Sequence, residues 1–290
     1  MVITRGTGVV LVAVGVAAFL LLGGCGGDSG PDPTPTASVQ ILLVDAPANQ
    51  IEELHVRLNS VQVARRSSEK LTLLDARDLP EDTDLIAAGN TPVVLGTVDV
   101  PVGTYTFTRL GIDGDSPVNR VRLADGTEHP IVEVMDQPAL GAQTNGSFIV
   151  TAGTNMTLLF DFAAAASVRE GPGGWSLEPQ VFSQYIERGV QFGGLQGLVT
   201  EKDGAPLMKP ADQVLGVFLR DQDTQEVISL AEVCCLSGEY AMPKLVPGRY
   251  RLSVQYATQD WMPVGTPFVE NVLIRVGAGG TSTANVQIDQ

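Results

Sequence analysis

The fold class is decided by short alternating stretches such as LHVRLNSVQV at residues 54–63. In its first five residues, every second side chain is aliphatic, which predicts a strand with one apolar face. The apolar phase then moves to the odd positions Val61 and Val63. This slip of one residue predicts a β-bulge near Asn59 and Ser60, because an inserted residue turns the following side chains to the other face.

Similar runs recur from Val39 onward at spacings near ten residues, with short clusters of Gly, Pro, Asp and Asn between them. The other predicted strands are residues 39–44, 71–74, 93–100, 105–112, 120–123, 129–134, 148–150, 156–162 and 176–185. The clearest turns are residues 124–127 and 143–146, and only residues 84–88 and 163–167 are predicted to be helical. This pattern predicts an all-β protein with two antiparallel β-sandwich domains, not a parallel sheet.

The N-terminus combines a charged head, an apolar run and a small-small-Cys ending. Arg5 is the only charge before Asp28, and the apolar run is too short to span a bilayer comfortably. The ending LGGC at residues 22–25 resembles the bacterial lipobox, which implies cleavage before Cys25 after its thiol has received diacylglycerol. Residues 1–24 are therefore predicted to be a signal peptide. The alternatives are an ordinary secretory signal and an uncleaved membrane helix.

The segment after the cleavage site predicts where the mature protein is held. Cys25 would carry two or more acyl chains, which bind a membrane durably. Gly26 differs from the Asp that retains enterobacterial lipoproteins in the inner membrane, so we expect the outer membrane. Residues 25–38 are rich in Gly and Pro and cannot bury apolar surface, which predicts a disordered tether.

Several motifs in residues 39–187 occur in the order typical of one bacterial family of domains of unknown function. They are VQILLVDAP at 39–47, VPVGTY at 100–105, LADGTE at 123–128 and LEP at 177–179. The chain resembles this family here, which implies a β-sandwich without an established activity. The family has a second acidic residue two positions after the one matching Asp161, where this chain has Ala163, so no cation role is carried over.

A second strand-rich unit follows residues 188–194, which are predicted to be a linker. Its motifs are GLVTEKDGAP at 197–206, GEY at 238–240 and LVPGRYRL at 245–252. Residues 195–290 are similar to the carboxypeptidase regulatory-like family, which implies a seven-stranded sandwich of the transthyretin type. In PGRY, Pro and Gly form a turn, and Tyr250 starts the next strand with its ring over the core edge. VPVGTY at residues 100–105 has the same arrangement of a turn followed by a tyrosine.

The charge of the chain limits its partners. The formal net charge is −15, which opposes binding to nucleic acid or to anionic lipid headgroups. Neutral, cationic or metal-bridged partners are expected, with the membrane contacted through the lipid anchor. The protein is expected to be a monomer.

The sequence contains no recognisable catalytic motif. The two histidines are His55 and His129, and there is neither a Gly-x-Ser-x-Gly elbow nor a His-Glu-x-x-His helix. Both are expected at the surface. Among the 33 acidic residues no pair stands out, although carboxylates that converge only in the fold would give a hydrolase. The sequence predicts that the protein is not an enzyme.

One acidic turn is a candidate calcium site. Asp113 and Asp115 place two carboxylates on one Asp-Gly-Asp turn, and calcium prefers oxygen ligands. The competing interpretation is a plain turn, because no full twelve-residue calcium loop is present. No other cofactor is predicted.

Two further candidate sites concern the second unit. Cys234 and Cys235 are adjacent, and a vicinal disulfide between them would need a distorted turn. The alternative is a pair of reduced thiols. Trp261 is predicted on a loop, where an exposed indole would stack on a sugar ring. The alternative is that Trp261 plugs the end of the second sandwich.

These features together predict a lipid-anchored protein of the cell envelope. Its expected role is non-catalytic binding or scaffolding of an envelope polymer, a glycan or a protein, because sandwich loops and sheet edges offer contact surfaces without new chemistry. The alternatives are an envelope hydrolase that uses carboxylates and a purely structural spacer.

Overall fold

The computed structural model describes residues 34–45, 48, 50–65, 70–135, 143–144, 148–207, 213–234, 236–258, 261 and 263–288. The predicted signal peptide, the lipidation site Cys25 and residues 26–33 of the predicted tether lie outside these residues. The tether prediction is wrong for residues 36–38, because they begin the first strand, Thr36–Asp45, and pair with residues 99–101. The chain from Thr34 onward belongs to one compact unit. Within the described residues, no helix is long and apolar enough to cross a membrane.

The described residues form 23 strands and two short helices, so the all-β prediction is confirmed. The strands up to residue 187, the N-terminal half, are β1 (Thr36–Asp45), β2 (Ile51–Val56), β3 (Leu58–Arg65), β4 (Lys70–Asp75), β5 (Thr83–Asp84), β6 (Val93–Pro101), β7 (Gly103–Ile112), β8 (Arg120–Leu123), β9 (Glu128–Val134), β10 (Gln143–Thr144), β11 (Phe148–Val150), β12 (Asn155–Phe162), β13 (Val168–Gly171), β14 (Gly174–Leu177) and β15 (Val181–Glu187). The C-terminal half, residues 193–288, contains β16 (Gly193–Glu201), β17 (Gln213–Asp221), β18 (Val227–Glu232), β19 (Glu239–Leu245), β20 (Gly248–Thr258), β21 (Pro263–Val276), β22 (Thr281–Thr283) and β23 (Val286–Ile288). The helices are α1 (Leu85–Asn90) and α2 (Ala164–Ser167).

The N-terminal half contains three sheets. Their strand orders are β10-β15-β12-β1-β6, β11-β7-β3-β4 and β13-β14-β9-β8-β2-β5. Antiparallel pairing prevails, as predicted, but β1 pairs with β12, β14 with β9 and β10 with β15 in parallel. Parallel neighbours need a long connection between them, and the chain between β1 and β12 is long enough to return to the same end of the sheet.

The C-terminal half contains two four-stranded sheets. One has the order β19-β16-β22, with β23 also paired to β16, and the other has the order β18-β17-β20-β21. Apolar side chains such as Leu195, Val217 and Leu252 pack into one core. The N-terminal half has a separate core that includes Leu43 and Phe160. The predicted boundaries of the two domains and the linker remain a prediction.

The alternating stretch at residues 54–63 changes sheet partway along. His55 pairs with Asp84, whereas Leu58 pairs with Ile112 in a different sheet, so the chain turns the corner at Arg57. The predicted bulge is confirmed, because the pairing of β3 with β7 shifts register between Leu58 and Ser60. The extra residue restores the inward direction of the apolar side chains after the corner.

The predicted helical turns and the first predicted hairpin turn are confirmed. Helix α1 is capped by the Asp84 carboxylate, which accepts hydrogen bonds from two amides of the first turn. Residues 124–127 join β8 to β9, and Gly126 has a φ of 85°, which favours glycine. The turn predicted at residues 143–146 is wrong for Gln143 and Thr144, because they pair with β15 as a strand. Its other two residues lie outside the described chain.

Each half contains a buried tyrosine whose hydroxyl is hydrogen-bonded to the turn before its strand. The hydroxyl of Tyr105 donates a hydrogen bond to the Pro101 carbonyl at 2.7 Å, four residues earlier, and the hydroxyl of Tyr250 donates to the Val246 carbonyl in the same way. Both rings are buried. Burial raises the pKa of the Tyr250 phenol well above its usual value. The turn before each strand is therefore fastened to the core by an aromatic ring and a hydrogen bond.

We expect Tyr105→Phe to lower the free energy of unfolding by about 1 kcal/mol, because the Pro101 carbonyl loses its buried donor while the ring stays in place. Urea unfolding of the full chain measures this loss. Tyr185→Phe is the control, since Tyr185 is 39% exposed. An equal loss in both variants would argue against a structural role of the Tyr105 hydroxyl.

Candidate functional site

The two halves meet through a small apolar cluster, which we call the joint. Its buried residues are Ala163, Ala166, Phe218, Leu230, Ala257 and Trp261. The rings of Phe218 and Trp261 pack edge to face, with centroids 6.1 Å apart. A Cβ atom at Gly216 would lie 2.8 Å from the Trp261 ring, so only glycine at this position lets the indole lie against β17.

Polar contacts accompany the apolar joint. The hydroxyl of Ser229 donates a hydrogen bond to the Asp161 carboxyl at 2.7 Å, and both side chains are buried. The side chain of Gln184 donates to the Ile228 carbonyl and accepts from the Val246 amide. Burial raises the pKa of Asp161 to about 7, and the hydrogen bond from Ser229 acts in the opposite direction. The joint thus contains an ionisable group in an apolar setting.

A cleft of about 410 Å³ opens beside the joint, with walls from both halves. Its lining includes Gln50, Arg169, Glu170, Trp175, Gln213, Glu232 and Trp261. Amide, carboxylate and guanidinium groups next to indole rings suit a polar ligand with an apolar face. A sugar ring has these properties.

The local structure holds two of the cleft side chains in place. Trp175 lies on β14, and its ring stacks on His129 with centroids 5.2 Å apart. Arg169 on β13 donates to the Glu178 carboxylate at 3.2 Å and to the Ala166 carbonyl at 3.3 Å. The charge of Arg169 is thereby balanced. Glu170 and Glu232 add two carboxylates, which makes the cleft acidic.

Trp261 is not the exposed loop residue that one of the two sequence interpretations required. Its side chain is 6% exposed and packs against Phe218 in the joint. Burial agrees with the alternative, in which Trp261 plugs the end of the second sandwich.

The predicted calcium residues lie on the turn between β7 and β8. The Asp113 carboxylate accepts a hydrogen bond from the amide of Asp115 at 3.3 Å, as in an ordinary Asp-initiated turn. In the part of the chain that the structure describes, no group of three or more His, Cys, Asp or Glu side chains is placed to hold a metal ion. Calcium binding here remains a prediction.

Cys234 has a half-buried thiol, and its hydrogen bond with Ser237 lowers the pKa of the thiol. The predicted disulfide partner, Cys235, lies outside the described residues. The vicinal disulfide therefore stays a prediction, which a thiol titration of the denatured, unreduced protein will test.

His55 belongs to a network of charged side chains on the outer face of its sheet. Its Nδ1 lies 2.6 Å from the Asp82 carboxylate, and its Nε2 lies 3.3 Å from that of Glu53. Arg120 and Arg122 pair with the same two carboxylates. Among the described residues no hydroxyl or thiol hydrogen-bonds to His55, so it activates no nucleophile in this arrangement. The sequence indicated the polar face of His55 but not its partners.

His129 is part of a hairpin contact and is half-buried. Its Nε2 lies 3.3 Å from the Thr127 hydroxyl, which donates to the Asp125 carboxylate at 2.6 Å. In a nucleophilic triad the imidazole stands between the hydroxyl and the carboxylate. Here the Thr127 hydroxyl lies between the imidazole and the carboxylate, so these three groups are not arranged as a nucleophilic triad.

Comparison with known proteins identifies one family. Residues 36–179 match the family described as a domain of unknown function, DUF4382. No curated protein matches the chain.

Solved structures show only distant similarity. The Bacillus anthracis TIE protein has 9% identity and a TM-score of 0.23, with 88% of this chain and 34% of that chain covered, so this chain spans about a third of its length. GBS52, the minor pilin of Streptococcus agalactiae, has 13% identity and a TM-score of 0.25, with 87% and 95% covered. BcpA, the major pilin subunit of Bacillus cereus, has 8% identity and a TM-score of 0.24, with 88% and 70% covered. At these TM-scores the similarities establish no shared function.

Proposed function

Because residues 36–179 match the DUF4382 family, whose function is unknown, we propose a function from the geometry of this chain itself. The protein is a lipid-anchored component of the cell envelope with a non-catalytic binding or scaffolding role. The single observation that supports the binding role is the polar cleft between the two halves, whereas the lipid anchor is proposed from the sequence. Cys25 provides the anchor, the part of the predicted tether that precedes β1, residues 25–35, provides clearance, and the outer membrane is the expected location.

The chemistry of the cleft favours a neutral or cationic glycan as the ligand. Gln50 and Gln213 offer amide donors and acceptors, and Trp175 offers an indole that His129 holds in place. The carboxylates of Glu170 and Glu232 and the net charge of −15 repel anionic polymers. A ligand in this cleft would contact strands of both halves at once, so binding would also hold the halves together.

The test is a screen of the full chain in detergent on an array of glycans and envelope polymers, with calcium and with a chelator. For a ligand that binds, we expect Trp175→Ala to weaken affinity about tenfold, because loss of one aromatic contact costs about 1.4 kcal/mol. Leu236→Ala is the matched control, since Leu236 is 84% exposed and lies outside the cleft lining.

Each outcome of this screen has a defined meaning. Equal affinity of Trp175→Ala and Leu236→Ala would place the ligand elsewhere on the protein. A clean blank in both buffers would favour the structural spacer. Binding that needs calcium and is lost in Asp113→Asn would support the calcium turn at Asp113 and Asp115.

A second candidate function follows from Glu170 and Glu232, which both line the cleft. Glycoside hydrolases use two carboxyl groups on either side of the scissile bond. If the bound glycan is cleaved, Glu170→Gln and Glu232→Gln should each abolish cleavage and retain binding. Binding without any cleavage by the wild-type protein would dismiss this candidate.

A further inference from the structure

Asp161 is an ionisable side chain buried at the boundary between the two halves. It lies in the middle of its sheet, where β12 pairs with Val44 of β1 on one side and with Phe182 of β15 on the other. Its carboxyl leaves that sheet toward β18, where the Ser229 hydroxyl donates to it at 2.7 Å. Asp161 is 5% exposed and Ser229 is 1% exposed. Solvent therefore does not stabilise a charge at this position.

The surroundings of the carboxyl are apolar. Leu42, Val44 and Leu159 form a buried cluster on the same pair of strands, and Phe192 packs against it. Ionisation of a carboxyl in such a setting is unfavourable unless a cation or several hydrogen-bond donors compensate the charge.

The charged residues on the strands around Asp161 lie at strand ends. They are Asp45 on β1, Glu187 on β15, Glu232 on β18, and Arg220 and Asp221 on β17. The Asp45 carboxylate accepts a hydrogen bond from the amide of Ala164 at the start of α2. Burial, opposed only by the Ser229 hydrogen bond, accounts for the raised pKa of Asp161, and no charged side chain of the described chain contributes.

We infer that Asp161 and Ser229 form a proton-dependent latch that holds the two halves together. With the carboxyl protonated, the pair is neutral, and either partner can donate its hydrogen bond. With the carboxyl ionised, only Ser229 can donate, and an uncompensated charge remains in the joint. Water entry between β12 and β18 relieves that charge, which loosens the joint and widens the cleft beside it. The latch rests on this contact alone and goes beyond the proposed ligand binding.

The latch is tested with Trp261 as a reporter, because its ring lies in the joint. The chain has two tryptophans, so Trp175→Phe leaves Trp261 as the sole indole. In this background, acrylamide quenching of the full chain in detergent is followed from about pH 5 to about pH 9. We expect quenching to rise with a midpoint near neutral pH, and to stay flat when Asp161→Asn is added.

Two further variants complete the test. Ser229→Ala should move the midpoint to higher pH, because it removes the hydrogen bond that favours the ionised carboxyl. Asp99→Asn, on the exposed side of β6, should leave the midpoint unchanged. The latch would be overturned if quenching in the Trp175→Phe background did not change with pH. It would also be overturned if adding Asp161→Asn left the midpoint unchanged. If Asp161→Asn does not fold, the Ser229→Ala midpoint decides: an upward shift supports the latch, and no shift overturns it.

No ligand is present in this experiment. A negative result would therefore contradict the latch and would not bear on the proposed binding role.

Discussion

Asp161→Asn is expected to stabilise the protein at pH 8 by up to about 4 kcal/mol. The pKa of Asp161 is raised from 3.8 to about 7, so between these two values the folded protein holds a proton that the unfolded chain has released. The free energy of unfolding therefore falls as pH rises through this window, by about 1.4 kcal/mol for each pH unit. Asparagine has a similar shape, accepts the hydrogen bond of Ser229 and never ionises.

Chemical denaturation of wild type and variant at about pH 5 and about pH 8 measures this effect. The gain is expected to be about 1.7 kcal/mol at the lower pH and about 4 kcal/mol at the higher pH. Asp99→Asn is the matched control, because Asp99 is exposed on a strand of the same sheet. A gain of equal size at both pH values would mean that ionisation of Asp161 is not its source.

Phe218→Ala is expected to lower the free energy of unfolding by about 3–5 kcal/mol and to open the joint. Phe218 is buried and packs edge to face with Trp261, so its loss leaves a void between the halves. The cores of the two halves are separate clusters. Removal of this contact should therefore weaken the attachment of the halves more than either core.

Val217→Ala is the matched control for this variant. Val217 precedes Phe218 on β17 and packs into the core of the C-terminal half. Both variants should be less stable in urea. In the Trp175→Phe background and below the unfolding transition, only Phe218→Ala should increase acrylamide quenching of Trp261. Equal quenching in the two variants would show that Phe218 contributes general stability and does not join the halves.

Local sequence determined most strands of the N-terminal half, the bulge at Asn59, the two helical turns and the positions of Tyr105 and Tyr250 after their turns. Each of these depends on residues within a few positions of one another. A period of two selects the faces of a strand, and Pro-Gly turns select its ends. The prediction of one strand at residues 176–185 is wrong, because the chain leaves β14 at Leu177 and enters β15 of another sheet at Val181. The predicted lipid anchor at Cys25 is likewise a local pattern.

Tertiary structure alone decided what each buried face packs against. Asp161 and Ser229 are 68 positions apart, and the cleft lining runs from Ala48 to Trp261. β12 is buried on both faces, so its sequence shows no alternation that would mark the face toward the C-terminal half. Periodicity predicts that a side chain is buried, but not which residue it packs against. The packing partner depends on how the strands are arranged in the sheets, and contacts across the whole chain set that arrangement.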